Sequence, residues 1–196
     1  MSSGIRRLGN VSRPGRDAVP LVAAFGILFL AACGGVAVAP LPSANVLPSS
    51  VIVPLSFVIQ YFPQVTVQAS TGQDATAVGN PIATRATIYA SSDLSHKVTI
   101  TVDQYISTGN ASLAYQQAVA NSMIPGFAPV TVPNLGQETF AGTVTMGMET
   151  HVGIGVLVGN LVVGATLAGF AGTNTDIANL VTVTRTEVAT VQALSN

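Results

Sequence analysis

VGIGVLVGNLVVGATLAGFA, residues Val152 to Ala171, runs for twenty positions without a charge. Two folds compete for it. As a helix it has the roughly 20 apolar residues that cross a bilayer, and Gly155 and Gly159 form the G-x-x-x-G of packed membrane helices. As strands it divides at Gly159-Asn160 into two β-branched halves, and a two-residue link of this kind is a hairpin turn. Asn160 at the centre and Gly153, Gly155, Gly159, Gly164 and Gly169 weigh against the helix, because an interior glycine costs about 1 kcal/mol relative to alanine. The hairpin is the preferred reading, with strands at 151–158 and 161–168. Glycines inside strands also let a backbone or a ligand approach closely.

Working outward, the same β signals recur. Lys97-Val98-Thr99-Ile100-Thr101-Val102-Asp103 alternates strictly, the mark of a strand with one buried face. Thr84 to Ala90, Val65 to Val67, Val130 to Pro133 and Glu138 to Met146 read as further strands, and Thr71 to Pro81 as a polar loop. Three helices are expected. Leu55, Val58, Ile59 and Phe62 have helical spacing behind Pro54, giving a short helix at 54–62. Asn110 is a candidate N-cap for a helix at 111–124, with Tyr115, Ala118, Val119, Ser122 and Met123 on one face and Pro125-Gly126 as its stop. The last helix is expected at 175–194, its buried stripe Ile177, Leu180, Val181, Thr184, Val188, Val191 and Leu194, with Asp176 favoured near its positive N-terminus. The order predicts a single α+β domain, mostly an antiparallel sheet, with two or three helices packed on one face.

The first fifty residues have a different character. Arg6, Arg7, Arg13 and Arg16 form a basic region, Val19 to Ala32 is an apolar run of 14 residues, and small residues follow. This is the layout of an export signal, and the run is shorter than the roughly 20 residues of a permanent span. Ala37-Val38-Ala39 has the A-x-A form of an ordinary cleavage site, but Pro40 behind it makes a poor residue beside a scissile bond. Leu30-Ala31-Ala32-Cys33 resembles instead the lipobox of bacterial lipoprotein precursors. That resemblance implies cleavage before Cys33 and acylation of the new N-terminus, with a diacylglycerol on the Cys33 thiol. Cys33 is the sole cysteine of the chain, so it has no disulfide partner. The predicted organisation is a signal peptide at 1–32, a lipidated tether at 33–50 and the α+β domain at 51–196. The location is lipid-anchored and extracytoplasmic, on the cell membrane or an outer membrane. The element order and the tether loosely resemble small α+β lipoprotein and extracellular sensor domains of bacteria, a resemblance that carries no residue over.

Beyond Cys33 the chain keeps three bases, Arg85, Lys97 and Arg185, against seven acids, a net charge of −4. Without a basic patch to neutralise phosphates, nucleic acid is not an expected partner.

Few residues could carry chemistry. With Cys33 taken by lipid no thiol nucleophile is left, and His96 and His151 are the two imidazoles. Asp93 and His96, with Ser92 and Ser95 beside them, raise the thought of a hydrolase, yet a triad is defined by spatial roles and no G-x-S-x-G elbow is present. Met146, Met148 and His151 would suit soft Cu(I), with Met123 as a further thioether; the plainer reading is gap-filling methionines at a strand end and a solvent-facing His151. No phosphate loop or dinucleotide fingerprint appears, and no cofactor is expected. The expectation is a non-enzymatic envelope lipoprotein whose domain binds a partner protein or a small apolar ligand. A copper-handling protein and a hydrolase with His96 or His151 as base are the alternatives.

Overall fold

The computed structural model describes residues 45–47, 49–71 and 81–194. The expected signal peptide, Cys33, most of the tether and nearly all of the 71–81 loop lie outside the described residues. Among the described residues, eight strands and three α-helices follow one another: β1 (Asn45–Val46), a 3-10 turn (Ser49–Val51), α1 (Leu55–Tyr61), β2 (Val67–Thr71), β3 (Ala83–Ala90), β4 (Lys97–Gln104), α2 (Thr108–Ser122), β5 (Phe127–Pro129), β6 (Glu138–Met146), β7 (Glu149–Val158), β8 (Leu161–Ala168) and α3 (Asn174–Leu194). One sheet holds all strands in the order β1-β3-β4-β8-β7-β6-β5, with β2 also on β3. Every pairing is antiparallel except that of β1 with β3. The expected α+β class and antiparallel sheet are what the chain forms.

Val152 to Ala168 is the hairpin. β7 and β8 pair from Val152↔Leu167 to Val158↔Leu161, and Gly159 turns at φ 59°, the first central position that a II′ turn reserves for glycine. Among the described residues no helix is long and apolar enough to cross a membrane. The β6–β7 connection repeats the device, with Gly147 at φ 64°.

Strand alternation divides the sheet into two faces. Val98, Ile100, Val102, Val152, Ile154, Val156, Val163, Ala165 and Leu167 form one core with Val58 and Phe62 of α1 and Leu180, Val181, Val188 and Val191 of α3. Two helices thus share a face. The third, α2, lies on the other face, where Ala111 and Tyr115 pack with Tyr105, Leu157 and Val162. Gly142, Gly153, Gly155 and Gly164 stand on that second face, with Gly142 opposite Gly153 and Gly155 opposite Gly164. Small residues on both sides, alanines above and glycines below, bring helix and sheet close.

Several boundaries differ from the sequence reading. The strand expected over Val65 to Val67 runs instead as β2 from Val67 to Thr71, where it pairs with Ala86–Ala90 of β3. The N-cap of α2 is Ser107, not Asn110: the Ser107 Oγ accepts from Asn110 N at 3.1 Å and donates its own proton to Asn110 Oδ1 at 2.6 Å. Both residues are cap formers, and the one that reaches an orphan N–H at the N3 position sets the start. Residues 130–133 are not a strand. β5 occupies Phe127–Pro129 against Gly142–Val144, and after Val130 N donates to Ala141 O at 3.0 Å the chain leaves the ladder. Asn45–Val46 pairs with Ala83 and Thr84, and Arg85 Nε donates to Leu47 O, so the end of the stretch read as tether lies against the sheet edge.

Candidate functional site

The second face carries an indentation built on β6 and α2. α2 crosses the glycine floor at a slight remove, leaving an apolar cleft of about 20 Å³ lined by Tyr115, Ala118, Val119, Phe140, Gly153 and Gly155. That is close to the volume of a single water or methyl group. Beside it a polar recess of about 340 Å³ opens between Tyr115 and the loop that leads into β6, lined by Val132, Asn134, Gln137, Glu138 and Thr139. Tyr115 borders both. The phenol is pushed up to about 12 by burial and by the nearby Glu138 carboxylate, so it keeps its proton and remains a donor.

The recess has an ordered rim. Gln137 Oε1 accepts from Gly159 N at 2.7 Å, which ties the rim to the β7–β8 turn. Asn134 Oδ1 accepts from Thr139 Oγ1 at 2.9 Å, and that hydroxyl accepts from Leu135 N at 2.9 Å. Phe127 stacks on Phe140 with centroids 5.4 Å apart, over Gly142, where a Cβ would come within 2.1 Å of the Phe127 ring. The packing of Phe127 over Gly142 explains why β6 needs glycine there. Sequence reasoning had Tyr115 as a core residue of its helix; Asn134, Gln137 and Glu138 had no signal beyond being polar near a strand start.

The residues singled out from sequence fall elsewhere. In the β3–β4 turn, Asp93 Oδ1 accepts from Ser91 Oγ at 2.5 Å, from Ser95 Oγ at 2.7 Å and from Ser95 N at 3.0 Å. The Ser91 hydroxyl first, and the Ser95 groups next, hold this carboxyl well below the usual range. Ser95 Oγ also meets His96 Nδ1 at 2.9 Å, and the His96 ring stands edge-on to Phe170 at 5.0 Å. Asp93, Ser95 and His96 do come together, with Ser91 in place of Ser92. The order, however, is Asp–Ser–His. A hydrolytic triad needs the imidazole between the two, oriented by the carboxylate and taking the serine proton. Here the serine is the bridge, and the cluster fastens a tight turn containing Leu94 at φ 61°.

At the β6–β7 tip, Met146 pairs with Glu149 and Val144 with His151, so Met146, Glu149 and His151 share a face. Met148 is fully exposed at the turn, and Met123 is exposed at the C-cap of α2. His151 is buried rather than solvent-facing, with its Nε2 3.6 Å from Glu149 Oε2. Among the described residues no three His, Cys, Asp or Glu side chains group as metal ligands.

Two buried carboxyl groups escaped the sequence reading. Asp103 follows the alternating strand onto the second face, where Thr84 Oγ1 donates to it at 2.5 Å. Burial pushes it up to about 6 despite that bond. Glu187 on α3 is 0% exposed. Its Oε2 accepts from Val53 N at 2.9 Å, and its Oε1 has no hydrogen-bond partner among the described residues. Burial pushes it up to about 7, against the lowering effect of the Val53 bond. Tyr89 donates its hydroxyl to Val53 O, completing the clasp of the N-terminal segment.

No protein-family model matches the chain, and no curated protein matches its sequence. Among solved structures, the extracellular domain of PknH from Mycobacterium tuberculosis is similar at a TM-score of 0.46 and 11% identity, over 72% of this chain and 94% of that one.

Proposed function

We propose that the chain is a membrane-tethered, extracytoplasmic binding domain without enzymatic activity, and that the indentation at Tyr115 is its ligand site. One observation carries the binding part. A solvent-open recess of about 340 Å³, its exposed rim fixed by the Gln137–Gly159 and Asn134–Thr139 hydrogen bonds, adjoins an apolar cleft at a helix–sheet interface. Ligand sites combine these elements, an apolar wall with a few fixed polar groups, in volumes from about 300 Å³ upward. The Asp–Ser–His order of the one catalytic-looking cluster supports the non-enzymatic reading. The tether rests on Leu30-Ala31-Ala32-Cys33, whose lipid would hold the domain at an envelope membrane.

Two measurements test this. The full chain made in a bacterial host, beside Cys33→Ala, is expected to show a lipid-sized mass gain and detergent partitioning that the variant loses; an unmodified wild type defeats the anchor. Small probes of four kinds (neutral sugar, polyamine, carboxylate, short aliphatic alcohol) are titrated against amide resonances of residues 134–139. A saturable shift with at least one kind is expected. Silence from all four removes the binding site.

A further inference from the structure

We propose that the end of the domain at which the N-terminal segment enters rests on the bilayer, with Ile106 and Leu113 seated in the lipid interface. This rests on the anchored reading above and names the surface that the anchor brings to the membrane.

The register fixes where the tether ends. Asn45 pairs with Ala83, Ala83 with Gln104, Gln104 with Leu161, and Leu161 with Val158. One end of the sheet therefore carries the entry of the chain, the loop from β4 into α2 and the β7–β8 turn. Cys33 lies twelve positions before Asn45, and twelve residues reach at most roughly 40 Å. β4, β7 and β8 are eight to ten residues long, which is roughly 26–33 Å from one end of the sheet to the other. To put the opposite end on the membrane, a lipid on Cys33 would need a nearly extended tether along the side of the domain. The entry end reaches the membrane without that constraint.

The same end presents apolar side chains and little charge. Ile106 is 69% exposed and Leu113 57%. Ile106 stands just before the Ser107 cap, where a hydrophobic residue ordinarily packs on the fourth residue of the helix. That residue is Ala111, which is fully buried, while Ile106 stands out in solvent. A local packing role therefore does not account for it. The loop that carries it is fixed: Tyr105 N donates to Asn160 O at 2.8 Å, and Asn160 Nδ2 donates to Tyr105 O at 2.9 Å. Leu113 is on the second turn of α2, off the buried stripe of Ala111, Tyr115, Ala118 and Ser122. Among the described residues, the loops of this end at 104–112, 130–137 and 158–161 hold no Lys, Arg, His, Asp or Glu. Glu138 opens β6 beside them, and Asp74 lies outside the described residues. The opposite end exposes Met123, Met146 and Met148 but sets Asp93, Lys97, Glu149 and Asp176 around them. Charge carried into an interface costs free energy, so the uncharged end is the one suited to lipid. A net charge of −4 beyond Cys33 gives no attraction to anionic headgroups, which leaves apolar contact as the means of docking. Two side chains bury too little to hold a free domain on a bilayer. On a domain already concentrated there by its anchor, they are enough to set its orientation.

The chain has no tryptophan, so a single introduced one reports its own surroundings. Ile106→Trp, Leu113→Trp and Met148→Trp, all at exposed positions, are made as full chains in a bacterial host. Each is reconstituted into phosphatidylcholine vesicles with and without bromine on the acyl chains, and intact mass establishes acylation. Ile106→Trp and Leu113→Trp are expected to lose roughly half of their emission to the brominated lipid, because an interfacial side chain sits about 5–10 Å into the headgroup–acyl boundary. Met148→Trp is expected to keep its emission. Adding Ile106→Asp to Leu113→Trp is expected to restore most of the lost emission, and since the tether is unchanged, this arm separates contact from nearness. The docking is overturned, with the anchor left standing, if acylated Ile106→Trp and Leu113→Trp are quenched no more than Met148→Trp. It is equally overturned if Ile106→Asp leaves the quenching of Leu113→Trp as it was. An unacylated chain overturns the anchor and the docking with it.

Discussion

Glu187→Gln should make the protein more stable at pH 8 and nearly unchanged at pH 4.5. The carboxyl is 0% exposed, in the core between α3 and the segment before α1, so solvent does little to screen its charge. Its ordinary value of 4.5 rises to about 7 in the fold. In that interval the native state holds a proton that the unfolded chain has released. Stability therefore falls as pH rises from about 4.5 to about 7 and then levels off. The shift is about 2.5 units, and at 1.36 kcal/mol per unit the loss is roughly 3 kcal/mol. Glutamine never ionises. Its carbonyl can keep the Val53 N–H, which Glu187 Oε2 now accepts at 2.9 Å. Its NH₂ takes the place of Oε1, which has no hydrogen-bond partner among the described residues. Neutral Glu187 already leaves a group unmatched there, so the exchange is close to neutral at low pH. At pH 8 the variant escapes the ionisation cost and gains about 3 kcal/mol, or very roughly 6–12 °C in melting temperature for a chain of this size. Urea unfolding of both proteins across pH 4.5–8 measures this directly. A variant that follows the wild-type pH slope, or is destabilised equally at every pH, would refute the reasoning.

Three further outcomes follow from particular contacts. Asp103→Asn should remove a second part of the same slope, since burial raises this carboxyl from 3.8 to about 6; its stabilising proton is fully held below about pH 4 and lost through pH 6, as urea midpoints over pH 3.5–6.5 would show. Gly169→Ala should destabilise by more than about 2 kcal/mol, because the residue sits at φ 79° and a Cβ would come within 1.7 Å of Ser95 O, combining backbone strain with a steric clash; a thermal midpoint unchanged within a degree would contradict the geometry. Ser107→Ala should cost about 1 kcal/mol, the usual price of losing an N-cap, and more than Asn110→Ala, with the reverse order in chemical denaturation restoring Asn110 as the cap.

How far the fold could be read depended on whether local patterning agreed with the tertiary answer. β4, β6 and β8 carry their own alternation or composition, and the Gly-Asn turn between β7 and β8 fixes a register, so these elements were legible. Val130-Thr131-Val132 alternates equally well yet finds no sheet partner, because the chain turns away one residue after β5; pairing is a tertiary fact that alternation does not contain. Glu187 shows the opposite failure. Leu180, Thr184, Glu187 and Val191 fall on one helical face by spacing alone, so the position was available, but a carboxyl in such a stripe reads as the edge of the exposed face until Val53 is seen to donate to it. The recess was the least legible feature. It depends on a polar loop folding back so that Asn134 and Gln137 are held by Thr139 and Gly159, and no residue type in that loop signals a partner twenty-two positions away.

The two unusual regions lie toward opposite edges of the sheet, and this bears on how a tether and a ligand site could coexist. The N-terminal segment enters at β1 on the outer edge of β3 and is clasped by Glu187 and Tyr89 on the α3 face. The recess opens on the α2 face beside β6. Between β3 and β6 the sheet order places β4, β8 and β7, four strand spacings or roughly 19 Å. A domain held through its N-terminal segment can thus keep the recess clear of its own attachment. The segment that borders the recess reaches the α3-side core only at its margin, where Val130, Val132 and Leu135 pack against it, while the Val53 clasp sits at the β3 side. It follows that the pH dependence assigned to Glu187 and ligand binding at the recess should be additive: Glu187→Gln should change the stability of the protein without changing the affinity of whichever probe shifts residues 134–139, as expected for sites this far apart. A shift of more than threefold in that affinity on the substitution would mean that the two regions are coupled through the sheet and its core.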